Sequence, residues 1–252
     1  MTDNYLLTNK SNRNNQCLIL FVFDTSGSMF GDKIDSLNHT IESTLNNIEK
    51  LSESFASLEI YVNVLGFAKS PKWVARSPLP PSEFKKVWQP LEADGETNLG
   101  LALAELNAKL TEKTNDGWLD DSKEFCLPIV VFLTDGVPGD DYLEGLTLLN
   151  NNESYQNALK FCFGINDDDD FEEEMVNICQ QLIDSKNEFC LISQNEMCEL
   201  SDYLKLTLTA TLKTASLFTK IEKEVPEVIV DQGEPSIEEW FDSDDDDIDI
   251  ID

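Results

Sequence analysis

The chain has 252 residues and a formal net charge of −31, a length that suits one α/β domain with appendages and a sizeable core. Segment 221–252 holds 14 acidic residues against Lys223, a net −13 that leaves −18 on the remainder. A surface this acidic disfavours a nucleic-acid backbone, which needs a basic face, and an anionic membrane surface. No run approaches the roughly 18 apolar residues of a membrane span.

Residues 1–16 are polar and lack the apolar core of a signal peptide. Cys17, Cys126, Cys162, Cys179, Cys190 and Cys198 form no C-x-x-C pair, and several fall in apolar, strand-like runs. They read as reduced, small core hydrophobes. The sequons at Asn38 and Asn152 carry no meaning without secretion. The expectation is a cytoplasmic protein.

The first element, residues 17–24, contains the unbroken apolar run LILFVF. A run without polar alternation predicts a strand buried on both faces, as in a parallel sheet covered by helices. It ends on Asp24, followed by Ser26 and Ser28 at i+2 and i+4. In open α/β sheets, ligands collect in loops just past the carboxyl ends of such strands. In an extended loop this spacing turns three oxygen-bearing side chains to one side. Hard divalent cations want such oxygens, and magnesium takes one or two carboxylates and keeps several waters. A capping or turn cluster ahead of the first helix is the plainer alternative.

Asp32 is expected to cap that helix, with Ile34, Leu37, Ile41, Leu45 and Ile48 as one apolar stripe. A second strand is predicted over 58–67 and a short third over 73–76, bounded by Pro71 and a Pro78-Leu79-Pro80-Pro81 stop. A helix over 98–111 points Leu99, Leu103, Leu106 and Leu110 inward. A strand over 125–134 has Pro128 as a bulge or strand entry. Strand 158–165, a helix from about 170 to 184 with acidic residues at its start, strand 189–192 and helix 196–216 complete the order. Strands alternating with helices predict an α/β fold: a Rossmann-like, doubly wound, mostly parallel six-stranded sheet with helices on both faces and one short antiparallel edge strand.

The D-T-S-G-S-M of residues 24–29 resembles the opening of the metal-ion-dependent adhesion site of von Willebrand factor A (vWA) domains. The family's two further pieces follow in order: Glu96-Thr97-Asn98-Leu99-Gly100, then Thr134-Asp135-Gly136 after the apolar strand ending at Leu133. The resemblance implies Ser26, Ser28 and Thr97 as direct hydroxyl ligands, with Asp24 and Asp135 holding the metal directly or through water. The expected ion is Mg2+, with Mn2+ or Ca2+ as alternatives. It further implies an open coordination position that attracts a Glu or Asp from a protein partner. Helix capping is the rival role for Thr97, and a plain Asp-Gly turn for Asp135. Asp140 and Asp141, downstream on the same ligand edge, are candidates for tuning partner choice.

Four further stretches, GFAKSPKWVARSPLPPSEF, ADGETNLGLALAEL, PIVVFLTDGVPGDDY and FCFGINDDDDFEEEMVNI, are similar in order to the stand-alone bacterial vWA proteins of the tellurium-resistance type. So is the closing LSDYLKLTLTATLKTAS. That group is cytoplasmic and non-catalytic, associated with stress-response or phage-defence gene clusters that sometimes include a kinase and a phosphatase. The implied division is a polar tail 1–16, a vWA domain 17–219 and an acidic tail 220–252.

The tail is too poor in apolar surface to offset chain entropy and is expected to be disordered alone. Trp240 and Phe241 sit among its carboxylates and are candidate partner contacts, for an outside protein or for the chain's own metal site. An acidic decoy acting through this tail is the alternative function. A metal-dependent phosphohydrolase using Asp24 is a third, opposed by the lack of an accompanying lysine, histidine or second D-x-D. His39, the only histidine, falls off the apolar stripe and reads as solvated, which removes triad chemistry. Residues 167–170 resemble a calcium loop only superficially, without its interspersed Gly and terminal Glu.

Overall fold

The computed structural model describes residues 15–55, 58–111, 117–119, 128–166, 172–183, 189–193 and 197–224. The strands are β1 (Asn15–Asp24), β2 (Leu58–Phe67), β3 (Pro71–Trp73), β4 (Ile129–Thr134), β5 (Leu159–Asn166) and β6 (Phe189–Ser193). The helices are α1 (Asp32–Ser54), α2 (Pro81–Val87), α3 (Leu99–Lys109), α4 (Tyr142–Asn150), α5 (Glu153–Gln156), α6 (Glu172–Leu182) and α7 (Met197–Glu224). One sheet runs in the order β3-β2-β1-β4-β5-β6. Every pairing is parallel except β2 with β3, where Phe67 faces Pro71 and Leu65 faces Trp73.

The alternation of β1 divides the core. Cys17, Ile19, Phe21 and Phe23 pack with Leu37, Ile41, Leu45 and Ile48 of α1 and Leu200, Leu204, Leu208 and Leu212 of α7. Leu18, Leu20 and Val22 pack with Leu99, Leu103 and Leu106 of α3 and with Met175 and Ile178 of α6 on the other face. Successive strand residues point to opposite faces, so an unbroken apolar run is what a sheet covered twice requires. The chain leaves β1 toward β2 on one side and returns to β4 on the other, which puts a topological switch between β1 and β4. Ligand sites in open α/β sheets form at such a crevice.

Several expected boundaries move. The third strand is 71–73 instead of 73–76. Proline is tolerated on an outer strand because its missing N–H faces no neighbour, and Pro71 opens this one. The Pro78–Pro81 stop leads directly into α2, with Pro81 in its first turn, where the missing N–H costs nothing. α4 and α5 were not anticipated, because exposed Leu143 and Leu148 blur the period of α4. Asp32 is not the cap of α1: Gly31 holds that position at φ 85, and Asp32 is the first helical residue. Its charge there still favours the positive end of the helix. α7 runs eight residues past 216 because no glycine or proline interrupts the sequence before Pro226.

Cys17, Cys162 and Cys179 are buried, Cys190 is half-buried, and none of the four is in a disulfide. Burial, with Cys179 alongside, pushes the Cys162 thiol well up, in keeping with an inert core role. Cys126 and the side chain of Cys198 lie outside the described residues. His39 is exposed on α1 as expected. Residues 167–170, the apparent calcium loop, and the tail beyond Glu224 also lie outside the described residues.

Candidate functional site

Three loops at the carboxyl edge of the sheet meet beside the switch point. The first leaves β1 at Asp24, makes a short 3-10 turn over Gly27–Met29 and enters α1 through Gly31. The second, 94–98, is pinned to the first: Asp94 N–H donates to Thr25 O at 2.9 Å, and Gly27 N–H to Gly95 O at 2.9 Å. Gly95 has φ 84, a conformation that a side chain would strain. The third loop follows β4, and Gly139 N–H ties it to Thr97 O at 2.7 Å.

Asp24 is fully buried at the end of β1. Its Oδ1 accepts from the Ser26 N–H at 2.8 Å and its Oδ2 from the Thr134 hydroxyl at 2.7 Å. Burial raises its pKa from 3.8 to about 6, against the lowering effect of the Ser26 and Thr134 hydrogen bonds, with the nearby Asp135 charge adding to the rise. Ser26 Oγ and Ser28 Oγ share a hydrogen bond of 2.9 Å. Ser28 Oγ donates to Asp135 Oδ1 at 2.7 Å, while Lys33 Nζ donates to Asp135 Oδ2 at 2.6 Å.

Thr97 joins the cluster through the space over Gly136. A Cβ placed on Gly136 would lie 3.2 Å from Thr97 Oγ1, 3.7 Å from Ser28 Oγ and 3.8 Å from Asp24 Oδ2. One point over the third loop therefore sees oxygens from the other two, and glycine keeps it clear. The structure thus brings together all five candidate residues, Asp24, Ser26, Ser28, Thr97 and Asp135. Among the described residues no three His, Cys, Asp or Glu side chains gather as a metal cluster. This set has only two carboxylates, and its other three donors are hydroxyls. Hard oxygens of that kind fit Mg2+ or Mn2+ and offer nothing to a soft metal.

Asp140 and Asp141 have local work at helix starts. Asp140 accepts from Gly100 N–H at 3.0 Å and Leu101 N–H at 3.2 Å, capping α3, and Asp141 accepts from Leu143 N–H at 3.3 Å, capping α4. Thr97 does not cap α3; Asn98 precedes that helix without a side-chain cap bond. Trp240 and Phe241 lie outside the described residues. Sequence reading passed over two residues of the site, Thr134 and Lys33. Thr134 was in view as part of the T-D-G turn, but its hydroxyl direction depends on β1 and β4 being neighbours. Lys33 was hidden in a polar helix start. Beside the site, Phe30 is 79% exposed, two residues past Ser28.

The family model for the von Willebrand factor type A domain matches residues 19–202. A comparison with curated proteins finds no match. Among solved structures, the fold is similar to the vWF domain of the type V pili tip protein Mfa5 from Porphyromonas gingivalis. The TM-score is 0.56 at 10% identity, over 79% of this chain and 97% of that one. It is also similar to a von Willebrand factor type A protein from Catenulispora acidiphila, with a TM-score of 0.53 at 15% identity, over 76% of this chain and 42% of the other. The pilus adhesin SpaC from Lactobacillus rhamnosus GG gives 0.55 at 14%, over 80% and 31%. The chain thus spans less than half the length of two of these three, and at such identities the likeness is one of fold. With the family model covering most of the domain and the sheet order and helix layers in agreement, the chain belongs to the von Willebrand factor type A domain family.

Proposed function

We propose that this chain is a non-catalytic interaction module that holds a divalent cation, Mg2+ first and Mn2+ or Ca2+ as alternatives, and captures a carboxylate of a protein partner. Asp24, Ser26, Ser28, Thr97 and Asp135 are the residues that would hold the ion. The observation that carries this reading is the shared point over Gly136, within 4 Å of oxygens of Asp24, Ser28 and Thr97 from the two other loops. When bound, the cation supplies an electrophilic position for an acidic side chain. The protein's own residues orient it: Thr134 and the Ser26 N–H fix Asp24, and Ser28 fixes Asp135. Phe30 offers an apolar contact next to that position.

The motif order and the quoted stretches support a place among tellurium-resistance-type vWA proteins, cytoplasmic and serving a stress-response or phage-defence system. Partners would then be products of the same gene cluster, such as a kinase or phosphatase. Lys33 beside Asp135 supplies the lysine whose lack in the sequence motif counted against a phosphohydrolase. What still favours binding is that no histidine or second D-x-D joins the site among the described residues. The acidic decoy remains an outcome of the test.

Calorimetric titration of Mg2+ and Mn2+ into the full chain, with thermal melts, tests the metal. Modest affinity and a raised Tm are expected, because a ligand of the native state stabilises it by mass action; no metal dependence would remove the reading. Partner capture from the native host, with wild type, Asp24→Asn and a chain ending at 220, tests the rest. Binding that needs magnesium and Asp24 supports the module, whereas binding lost only on truncation points to the decoy.

A further inference from the structure

The side chains of Lys33 and Asp135 are 10% and 0% exposed, and their contact is 2.6 Å. A charge-assisted bond this short and this sheltered is screened far less by solvent and salt than a surface pair. Lys33 is the second residue of α1, and the turn at Gly31 delivers it to the site from the same loop that carries Ser26 and Ser28. Both Asp135 oxygens are already engaged, Oδ1 by Ser28 and Oδ2 by Lys33.

We propose that the Lys33 ammonium is a tethered rival cation: it holds the carboxylate that a divalent ion would use, and so sets the metal affinity of this chain below what its five-oxygen donor set would give alone. This rests on the metal-binding reading above. The physical reason is a choice between two costs. If the ion displaces the ammonium, a compact and strongly hydrated charge loses its short bond in a sheltered place. If Lys33 stays, a positive charge remains within a few ångströms of a doubly positive one, where screening is poor. The same lysine earns its place by offsetting two neighbouring buried carboxylates, since Asp135 and Asp24 repel each other. A buried carboxylate robbed of its partner is strongly destabilising. The lysine is therefore a stand-in for the cation, and the two should substitute for one another.

The test uses the full chain as wild type, Lys33→Met, Lys33→Gln and Lys33→Arg, each titrated with MgCl2 and MnCl2 by calorimetry and melted in EDTA and in magnesium. Lys33→Met and Lys33→Gln should bind the ion about tenfold tighter or more, from removal of a like charge close by. In EDTA both should melt lower than wild type, and magnesium should raise their Tm by more than it raises that of wild type. Lys33→Arg, which keeps charge and pairing, should behave like wild type in both assays. If wild type binds metal and the neutral variants bind equally or more weakly, Lys33 is no rival and the inference falls, while the metal site stands. If no variant binds metal, both fall. Should Lys33→Met fail to fold, Lys33→Gln gives the same comparison with a shorter side chain and an uncharged polar head.

Discussion

The Thr134 hydroxyl donates to Asp24 Oδ2 at 2.7 Å, so the last residue of β4 orients the last residue of β1. The two are neighbours only because those strands pair across the switch point, with Phe23 opposite Leu133. Replacing Thr134 with Val keeps the shape but leaves a buried carboxylate oxygen unpaired, a loss of about 1–3 kcal/mol of stability. Urea unfolding in EDTA measures that loss. Metal affinity should fall with it, read by calorimetry, because Asp24 is no longer held in one rotamer.

Gly136→Ala is the sharpest separation of fold from site. The added methyl carbon arrives 3.2 Å from Thr97 Oγ1 and 3.7 Å from Ser28 Oγ, among the candidate donors. Stability in EDTA should change by less than about 1 kcal/mol, as for a tolerated loop substitution. The magnesium-dependent rise in Tm should shrink or vanish. An unchanged metal response would place the ion away from the space over Gly136.

The buried Asp24 gives a pH signature in chelator-containing buffer. Its pKa of about 6, against 3.8 for an ordinary aspartate, means that the folded state holds this proton more tightly than the unfolded chain. That contribution is fully present below pH 3.8 and is lost as pH rises through about 6. It amounts to about 3 kcal/mol at most. The stability of wild type minus that of Asp24→Asn should therefore decline across this window and level off above it. In the same experiment with magnesium, metal binding should weaken below about pH 6, where proton and cation compete for one carboxylate.

The α7 stripe tests the other end of the fold. Leu208 is fully buried between α1 and the sheet, whereas Leu206 is 72% exposed. Leu208→Ala should cost about 2–5 kcal/mol, for the lost burial and the cavity left behind. Leu206→Ala should leave the midpoint of urea unfolding nearly unchanged. Equal effects would mean that α7 packs by another face.

The strands that carry the site were legible because each is short, apolar and followed at once by a polar loop. β2 falls on the expected 58–67, and all five residues of the α1 stripe are buried. Asp24, Ser26, Ser28, Thr97 and Asp135 converge because their spacing is a property of single loops plus one sheet order. What sequence did not disclose depends on contacts between loops. Lys33 meets Asp135 across 102 positions, and Asp140 turns back 40 positions to cap α3. α4 was missed for a related reason. It lies against α3 so closely that a Cβ on Gly145 would be 2.5 Å from Gly100 O, so part of its buried face is bare backbone, and buried Leu146 and Leu149 are confused with exposed Leu143 and Leu148.

The two strand ends of the site are 110 residues apart in the chain, joined at Asp24 and Thr134. Any cation held between them acts late: neither half of the chain contains the whole donor set, so the ion gains its ligands only after β1 and β4 have found each other. A clasp of that kind does little for a chain still searching for its shape and much for one already closed. Magnesium should accordingly slow unfolding more than it speeds refolding, a division readable in the two arms of a stopped-flow denaturant series.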